Sequence, residues 1–524
     1  MTRTAAEIGA GLAPIRDPRP IQPGEHIHVV GAAGAGASAA ALLAVAAGAT
    51  VSGCDAGGPS TYTPPLVAAG IPLAWEHDPA HVTKEPRPDR LAVTKALTAI
   101  APDHPELVAA RAYGIPVEAW QQVVADTAAG QTLVAVAGTH GKSTSAGWLV
   151  HVLAGAGVDP SAFVGAILPA DLTGGVPATA RRGRGSVFVV EADEYAGNFD
   201  PYRPSIAIVT SAEWDHPDVF ADRDAVVHAF ESWLRRAATG AMGTADPPPV
   251  LVANVGDAGV AALVERLSDW PGRIVTTSLA DGTWPIGSTA ARAAAAGPGA
   301  TLTGRIVAAT PTATRLEIAG PDLLPEPLEV DLLTAGQANA SNALGVAGAA
   351  LELGVSAEDL GRGLAGFAGV GRRLERKGME ADVVVYDDYG HHPTAIRKTI
   401  AAVRQREPGR RVWAVYEPLT YHRTAAFLEA FAEALATADA VAIADIWAGR
   451  DPDTSVASAS ALAAAVARLQ PGIPAAAPGS VEATADWLAG EVRPRDAVLV
   501  MGGGRSYVIG ERLLANLART TDRG

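Results

Sequence analysis

Apolar runs and glycine turns alternate along most of this chain, and their order defines its elements. The run IHVV, the turn GAAGAG, an Ala/Leu segment and a second run ending at Asp55 make residues 26–55 a strand–helix–strand opening. Residues 78–105 are rich in proline and charge and read as loop. PELVAARAYGIPV then reads as a helix, a stop at Gly114 and a strand, so a first α/β unit ends near Gly130.

A second unit opens with the buried run TLVAVA, followed at once by GTHGKSTS and the apolar helical pattern AGWLVHVLAGAG. Strands at SVFVVEAD, SIAIVTSAE and PVLVANV alternate with helices over 224–236 and 257–267, the order of a doubly wound sheet. Between residues 276 and 330, the alternation in TLTGRIVAATPTATRLEIAG predicts antiparallel strands appended to that sheet, and AGQANASNALGVAGAALELG predicts a closing helix. After GVGRRLERKG the βα alternation restarts with VVVYDDY, RVWAVYEP, AVAIADI and AVLVMGGG as strands, and with helices over 394–405, 424–437 and 458–469. The reading is an α/β protein of three domains, 1–130, 131–368 and 369–524, as a length of 524 residues favours.

Composition changes this picture in four places. A formal net charge of −15 without a long basic run argues against a nucleic acid partner, since neutralising phosphates takes clustered Lys and Arg. The single cysteine, Cys54, excludes an internal disulfide and a Cys-rich zinc site; it reads as a small buried apolar residue in a reducing compartment. The first residues lack a compact apolar segment behind positive charge, so no signal peptide is expected. The Gly/Ala-rich stretch 27–51 reads as a strand, turn and helix and not as a membrane span, and the protein is expected in the cytoplasm.

The candidate chemistry begins at Gly138, Thr139, His140, Gly141, Lys142 and Ser143, between a strand and a helix. Glycines let backbone N–H groups approach a phosphate, the helix N-terminus favours anions, Lys142 adds positive charge and Ser143 a hydroxyl for Mg²⁺. The loop is a shortened form of the usual pattern, with Val136 where the first glycine would stand. Phosphoryl transfer also needs oxygen ligands at neighbouring strand ends. Glu191 closes SVFVV, and Asp215 with His216 follows SIAIVTS, so three strand ends converge.

On these residues the chain resembles the Mur ligase family. GTHGKS is similar to the family's G-T-x-G-K-S/T loop, EADEYAGNF to its E-A-D-E-S-D-x-S-F segment and TSAEWDHPD to its T-N-x-x-x-D-H-x-D segment. GQANASNALGVAGA, FAGVGRRLE and DDYGHHPTAI follow in the family's order, and IHVVGAAGAGASAAALL resembles its sugar-nucleotide turn. The likeness spans nearly the whole chain. DDYGHHPT resembles the branch that joins L-alanine, or a recycled murein tripeptide, to UDP-N-acetylmuramate.

The resemblance implies a Rossmann-like N-terminal domain, a P-loop ATPase-like central domain and a Rossmann-like C-terminal domain. It also implies an ATP- and Mg²⁺-dependent ligase of peptidoglycan synthesis, working through an acyl phosphate as a monomer or homodimer. Lys142 would hold the β- and γ-phosphates, with Thr144 and Arg373 among the ATP contacts and Asn339 and Asn342 facing adenine. Ser143 and Glu191 would bind one Mg²⁺, and Glu191 with His216 a second. Gly31, Gly34, Gly36, His391, His392 and Arg423 would contact UDP-N-acetylmuramate or L-alanine, or another small amino acid. Arg372 and Arg373 are expected to form a hinge over 366–373 and a phosphate contact.

Several positions depart from the family's pattern. Ser211 stands for an Asn, Ala338 for a His and Ala395 for a Glu, while Leu419 and Thr420 stand for a His and an Arg beside the retained Arg423. Losing one basic contact to an amino acid's carboxylate removes a charge-assisted hydrogen bond worth roughly 1.5–3 kcal/mol. The apolar strand that the family shows before its N-P-E helix is replaced by LAVTKALTAIAPDHPEL. Besides the tripeptide ligase, a degenerate nucleotide-binding scaffold is an alternative, opposed by the intact Lys142, Glu191 and His216. A dinucleotide-dependent oxidoreductase, with Asp55 on the ribose, leaves the second and third units without a purpose.

Overall fold

A computed structural model describes residues 3–239, 247–280, 300–449, 451 and 453–521. Three sheets follow one another along the chain. The first comprises β1 (His26–Val30), β2 (Thr50–Cys54), β3 (Leu73–Ala74), β4 (Arg90–Val93) and β5 (Val117–Ala119), all parallel in the order 3-2-1-4-5. The helix Ala35–Ala46, rich in small side chains, lies close on this sheet. It also packs on the second sheet, where Thr179 donates to Ala35 O at 2.9 Å.

The second sheet contains β6 (Thr132–Ala137), β7 (Ser161–Leu168), β8 (Ala178–Arg181), β9 (Val187–Ala192), β10 (Ile206–Val209), β11 (Val250–Asn254), β12 (Arg273–Leu279), β13 (Ala300–Ala309), β14 (Thr314–Gly320) and β15 (Leu324–Leu332). Their order is 15-14-13-12-11-10-6-9-7-8. β6 lies between β10 and β9, so the turn that leaves it emerges at mid-sheet, where doubly wound sheets bind ligands. Pairing sets Val136 opposite Glu191 and Ala137 opposite Val209, which brings the three strand ends to one edge. The third sheet holds β16 (Glu375–Glu380), β17 (Val383–Asp388), β18 (Arg411–Glu417), β19 (Ala440–Ala444), β20 (Ala475–Gly479) and β21 (Asp496–Gly502), in the order 16-17-21-18-19-20. All its pairings are parallel except β16 with β17.

One continuous hydrophobic cluster joins the first two sheets, running from Val29 and Leu43 to Phe188 and Trp233, with Trp120 edge-on to Phe163 at 5.1 Å. The third sheet has apolar clusters of its own around Tyr416, Phe431 and Trp413. Among the described residues, no helix is long and apolar enough to cross a membrane.

The structure corrects three expectations. Residues 78–105 are not loop throughout: they contain β4 and the helix Lys95–Ile100, which Thr94 caps by accepting from Ala96 N. β4 supplies the strand that seemed lost before the HPEL helix. Its four residues are all buried, Arg90 included, and that buried arginine breaks the apolar signal. Arg90 is tolerated because carboxylates from three distant segments surround it: Glu118 at 2.8 Å, Asp126 at 2.5 Å and Glu25 at 3.0 Å. Second, the helix expected over 424–437 is two, Tyr421–Ala426 and Leu428–Leu435, separated at Phe427 with φ −111° and ψ 18°. Third, β13, β14 and β15 pair antiparallel with one another as expected, but they join the sheet through a parallel pairing of β12 with β13; residues 281–299 of that stretch lie outside the described residues.

Replacing Arg90 with Leu leaves three carboxylates short of a counter-charge. The expected cost is roughly 3–5 kcal/mol of stability. It would be read as a lower midpoint in urea unfolding, and an unchanged midpoint would refute the account.

Candidate active site

The loop after β6 is shaped by two glycines in left-handed backbone, Gly138 at φ 131° and Gly141 at φ 82°. A side chain at Gly141 would also collide with Asn342, its Cβ lying 2.5 Å from Oδ1. The helix Lys142–Gly155 that follows has no side-chain cap, so its first N–H groups are left for an anion. The first turn therefore fits a phosphate by construction.

Acidic groups converge on the same turn. Ser143 Oγ donates to Glu191 Oε1 at 3.0 Å and accepts from Arg373 Nη2 at 2.7 Å, while Glu191 Oε2 accepts from Gly165 N at 2.6 Å. A Cβ at Gly165 would lie 2.8 Å from Glu191 Oε1 and would push the carboxylate out of this position. A hydroxyl beside a carboxylate at the strand edge is a donor set that suits Mg²⁺. Lys142 Nζ pairs with Glu194 at 2.9 Å and lies 3.6 Å from Asp193. Burial pulls the Lys142 ammonium down, but Glu194 and Asp193 outweigh it and hold the group above its ordinary value. Burial drives Glu194 up to about 7 against the pull of Lys142.

His216 adopts φ 54° and follows the buried Asp215, whose Oδ1 accepts from His216 N at 2.7 Å. Arg423, from the third sheet's side of the cleft, donates through Nη2 to Asp215 and lies 3.2 Å from His216 Nδ1. The acids grouped with His216 are Asp193 and Glu194. Since Arg423 can only donate, it makes Nδ1 the acceptor and leaves the proton on Nε2; metal ligation by Nε2 requires Arg423 to release that nitrogen. Burial lowers the His216 and His391 imidazoles, so both are neutral at neutral pH. Arg423 Nη1 is buried without a hydrogen-bond partner, which leaves one donor for an anionic ligand.

These groups line a cavity of about 710 Å³ between all three sheets. Gly31, Gly36 and Asp55 stand at its first-sheet end, Lys142, Ser143, Glu191 and His216 at its centre, and His391, Leu419, Arg423 and Trp447 on the far side. A smaller cavity of about 210 Å³ adjoins it, lined by His140, Thr144, Asn339, Asn342, Lys398 and His392. Ala338 and Ala395 also face this smaller space, so both departures shorten side chains in the same wall.

The family descriptions "Mur ligase family, catalytic domain", "Mur ligase middle domain" and "Mur ligase, glutamate ligase domain" match residues 26–132, 136–350 and 372–504 in turn. The UDP-N-acetylmuramate–L-alanine ligase of Frankia casuarinae is 35% identical over 518 residues, covering 94% of this chain and 98% of the relative. That of Mycolicibacterium vanbaalenii is 36% identical, covering 94% and 96%. The chain belongs to the Mur ligase family. The crystal structure of a UDP-N-acetylmuramate–alanine ligase from Thermotoga maritima shares the fold, with a TM-score of 0.72 at 23% identity over 95% of this chain and 100% of that one. A murein peptide ligase from Psychrobacter arcticus does so with a TM-score of 0.67 at 24% identity, over 94% and 99%.

The site anticipated for a Mur ligase is largely gathered in one place, with four differences. His391 and His392 diverge: His391 borders both cavities, whereas His392 caps the helix Pro393–Arg406, contacts Trp214 O at 3.1 Å and borders the smaller one. Arg372 is engaged away from the phosphate loop, by Asp387 at 3.1 Å, Gly502 O and Ser506, and Arg373 alone of the pair reaches that loop. Gly34 caps the helix Ala35–Ala46 without bordering the cavity, and Gly36 is pressed against the Trp120 ring as well as the cavity. Asp193, Glu194 and Trp447 were not singled out from the sequence; for the acids, the signal was present in the run EADE after an apolar strand.

A polyphosphate seated on the helix N-terminus draws Lys142 away from Glu194 and adds negative charge nearby, and both effects raise the Glu194 pKa above about 7. Binding of nucleotide without Mg²⁺ at about pH 8 is therefore expected to take up a proton. Calorimetry in buffers of different ionisation enthalpy would detect it, and the uptake should vanish in Glu194→Gln.

Proposed function

We propose that this chain is a cytoplasmic ATP-dependent ligase that joins L-alanine to the carboxylate of UDP-N-acetylmuramate for peptidoglycan synthesis. The observation that carries the reading is the single cavity shared by the glycine turn of the first sheet, the phosphate loop of the second and Arg423 of the third. Relatives of that name match almost from end to end.

ATP supplies the chemistry that activates the carboxylate, turning one oxygen into a phosphate leaving group that the amino acid's amine displaces. The chain's own residues position and neutralise. The uncapped helix start and Lys142 hold the phosphates, and Ser143 with Glu191 holds one Mg²⁺. His216, beside Asp193 and Glu194, serves a second ion once Arg423 turns to the substrate. Arg373, fixed on Ser143 and stacked over the Tyr389 ring at 4.8 Å, brings the third sheet's side onto the phosphates. Asn339 and Asn342 with the shortened Ala338 wall accept the adenine, and the turn at Gly31 to Gly36 accepts the sugar nucleotide. The spare Nη1 of Arg423 takes the amino acid's carboxylate, between Leu419, Thr420 and Trp447. His391, neutral and close to Arg423, completes that wall.

Phosphate release with ATP, Mg²⁺ and UDP-N-acetylmuramate, compared across L-alanine, glycine, L-serine and L-Ala-γ-D-Glu-diaminopimelate with product masses recorded, tests the reading. L-alanine is expected to be the acceptor. Turnover with the tripeptide alone would assign the same chemistry to murein recycling, and silence with all four would refute both. Lys142→Ala should lower turnover by about 100-fold or more, the scale on which loss of a transition-state charge contact acts, while the circular dichroism spectrum is retained.

A further inference from the structure

The first sheet holds a second cluster of metal-ligating side chains, away from the phosphate loop. Glu106, on the helix Pro105–Ala112, is fully buried. Its described partners include no Lys or Arg: Cys54 Sγ lies 3.2 and 3.3 Å from its two oxygens, His81 Nδ1 at 2.9 Å, His77 Nδ1 at 3.7 Å and His28 Nε2 at 3.8 Å, with Asp78 N donating at 2.9 Å. The ligand atoms of His28, Cys54, His81 and Glu106 all lie within 4.8 Å of one another. They come from β1, β2, the short helix Ala80–Thr83 and the helix Pro105–Ala112, so the fold, not the local sequence, assembles them.

Three observations point to a cation. A buried carboxylate needs a positive partner, and no Lys or Arg stands among those described for Glu106. His28 Nε2 is buried and has no hydrogen-bond partner, while its Nδ1 is held at 2.9 Å by Ser52 Oγ. That is the arrangement of a metal-binding histidine, with one nitrogen oriented by a neighbour and the other presented to the ion. Finally, zinc bonds of about 2.0–2.3 Å in tetrahedral geometry place ligand atoms roughly 3.3–3.8 Å apart. The Cys54–Glu106 and His28–Glu106 separations fall in or near that range without rearrangement.

We propose that His28, Cys54, His81 and Glu106 bind one zinc ion, which fastens the helices Ala80–Thr83 and Pro105–Ala112 to β1 and β2. One thiolate, two imidazoles and one carboxylate form a closed set of borderline-soft ligands, which selects zinc over Mg²⁺ or Ca²⁺. The site is structural: it pins both ends of the segment that carries β4 and the cavity-lining helix Lys95–Ile100. His77, 3.3 Å from Cys54 and itself on the cavity wall, links the ion to the sugar-nucleotide end.

The chain's single cysteine makes the test specific. The full-length protein, purified after expression with zinc, is expected to retain about one zinc per chain by elemental analysis. Cobalt exchanged into it should give a thiolate-to-metal charge-transfer band, which can arise only at Cys54 because no other cysteine exists. Cys54→Ala should abolish the band. His81→Ala, at the more accessible rim, should weaken metal affinity by about tenfold or more with the fold intact by circular dichroism, which keeps the test valid if Cys54→Ala fails to fold. A folded wild-type chain that retains no zinc, or that binds cobalt without the thiolate band, overturns the proposal.

Discussion

The structure depends on how charge is paired in the cleft between the sheets. Lys142, Glu194, Asp193, Asp215, Arg423 and Glu191 are gathered around one cavity; Glu194, Asp215 and Arg423 are buried, and their charges have to be compensated there. In the protein alone, Lys142 is neutralised by Glu194, Arg423 by Asp215 and Ser143 is shared by Glu191 and Arg373. A bound polyphosphate with its ion offers each group a replacement partner. Ligand binding is then an exchange of partners, which costs less than burying new charge.

That pairing also explains how the sheets are arranged about the site. β6 has to lie between β9 and β10 for Glu191, Lys142 and Asp215 to share an edge, Gly138 and Gly141 have to lack side chains for the loop to turn, and the bare Gly165 leaves room for the Glu191 carboxylate. The third sheet completes the set through Arg373 and Arg423, and through Thr394, whose hydroxyl donates to Glu213 at 2.6 Å.

The parts of the fold legible in the sequence were those whose signal is local. Strand, glycine turn and helix at 132–155, and the acidic ends of β9 and β10, are encoded in short runs. β4 was hidden because its first residue is an arginine whose compensation comes from Glu25, Glu118 and Asp126, positions that no window around it contains. The same reason hid Glu194, whose importance rests on facing Lys142 across 52 positions of sequence. The cluster around Glu106 is a further case: Cys54 alone reads as a small apolar residue, and only the topology surrounds it with imidazoles.

The hydrophobic cluster shared by the first two sheets has a mechanical consequence. Parting them would expose apolar surface at about 25 cal/mol per Å². Parting the third sheet from them would largely trade polar contacts for water, with Trp214 against Phe427 and His140 against His392 aromatic exceptions among the described residues. The first two sheets are thus one packed body, to which the third is held mainly through polar contacts. The seat at Gly31 and Gly36 belongs to the packed body alone, whereas the seats that involve Arg373, His391 and Arg423 draw on both parts. A substitution that loosens the third sheet would therefore leave the glycine-turn seat whole and strip the other two of their arginines.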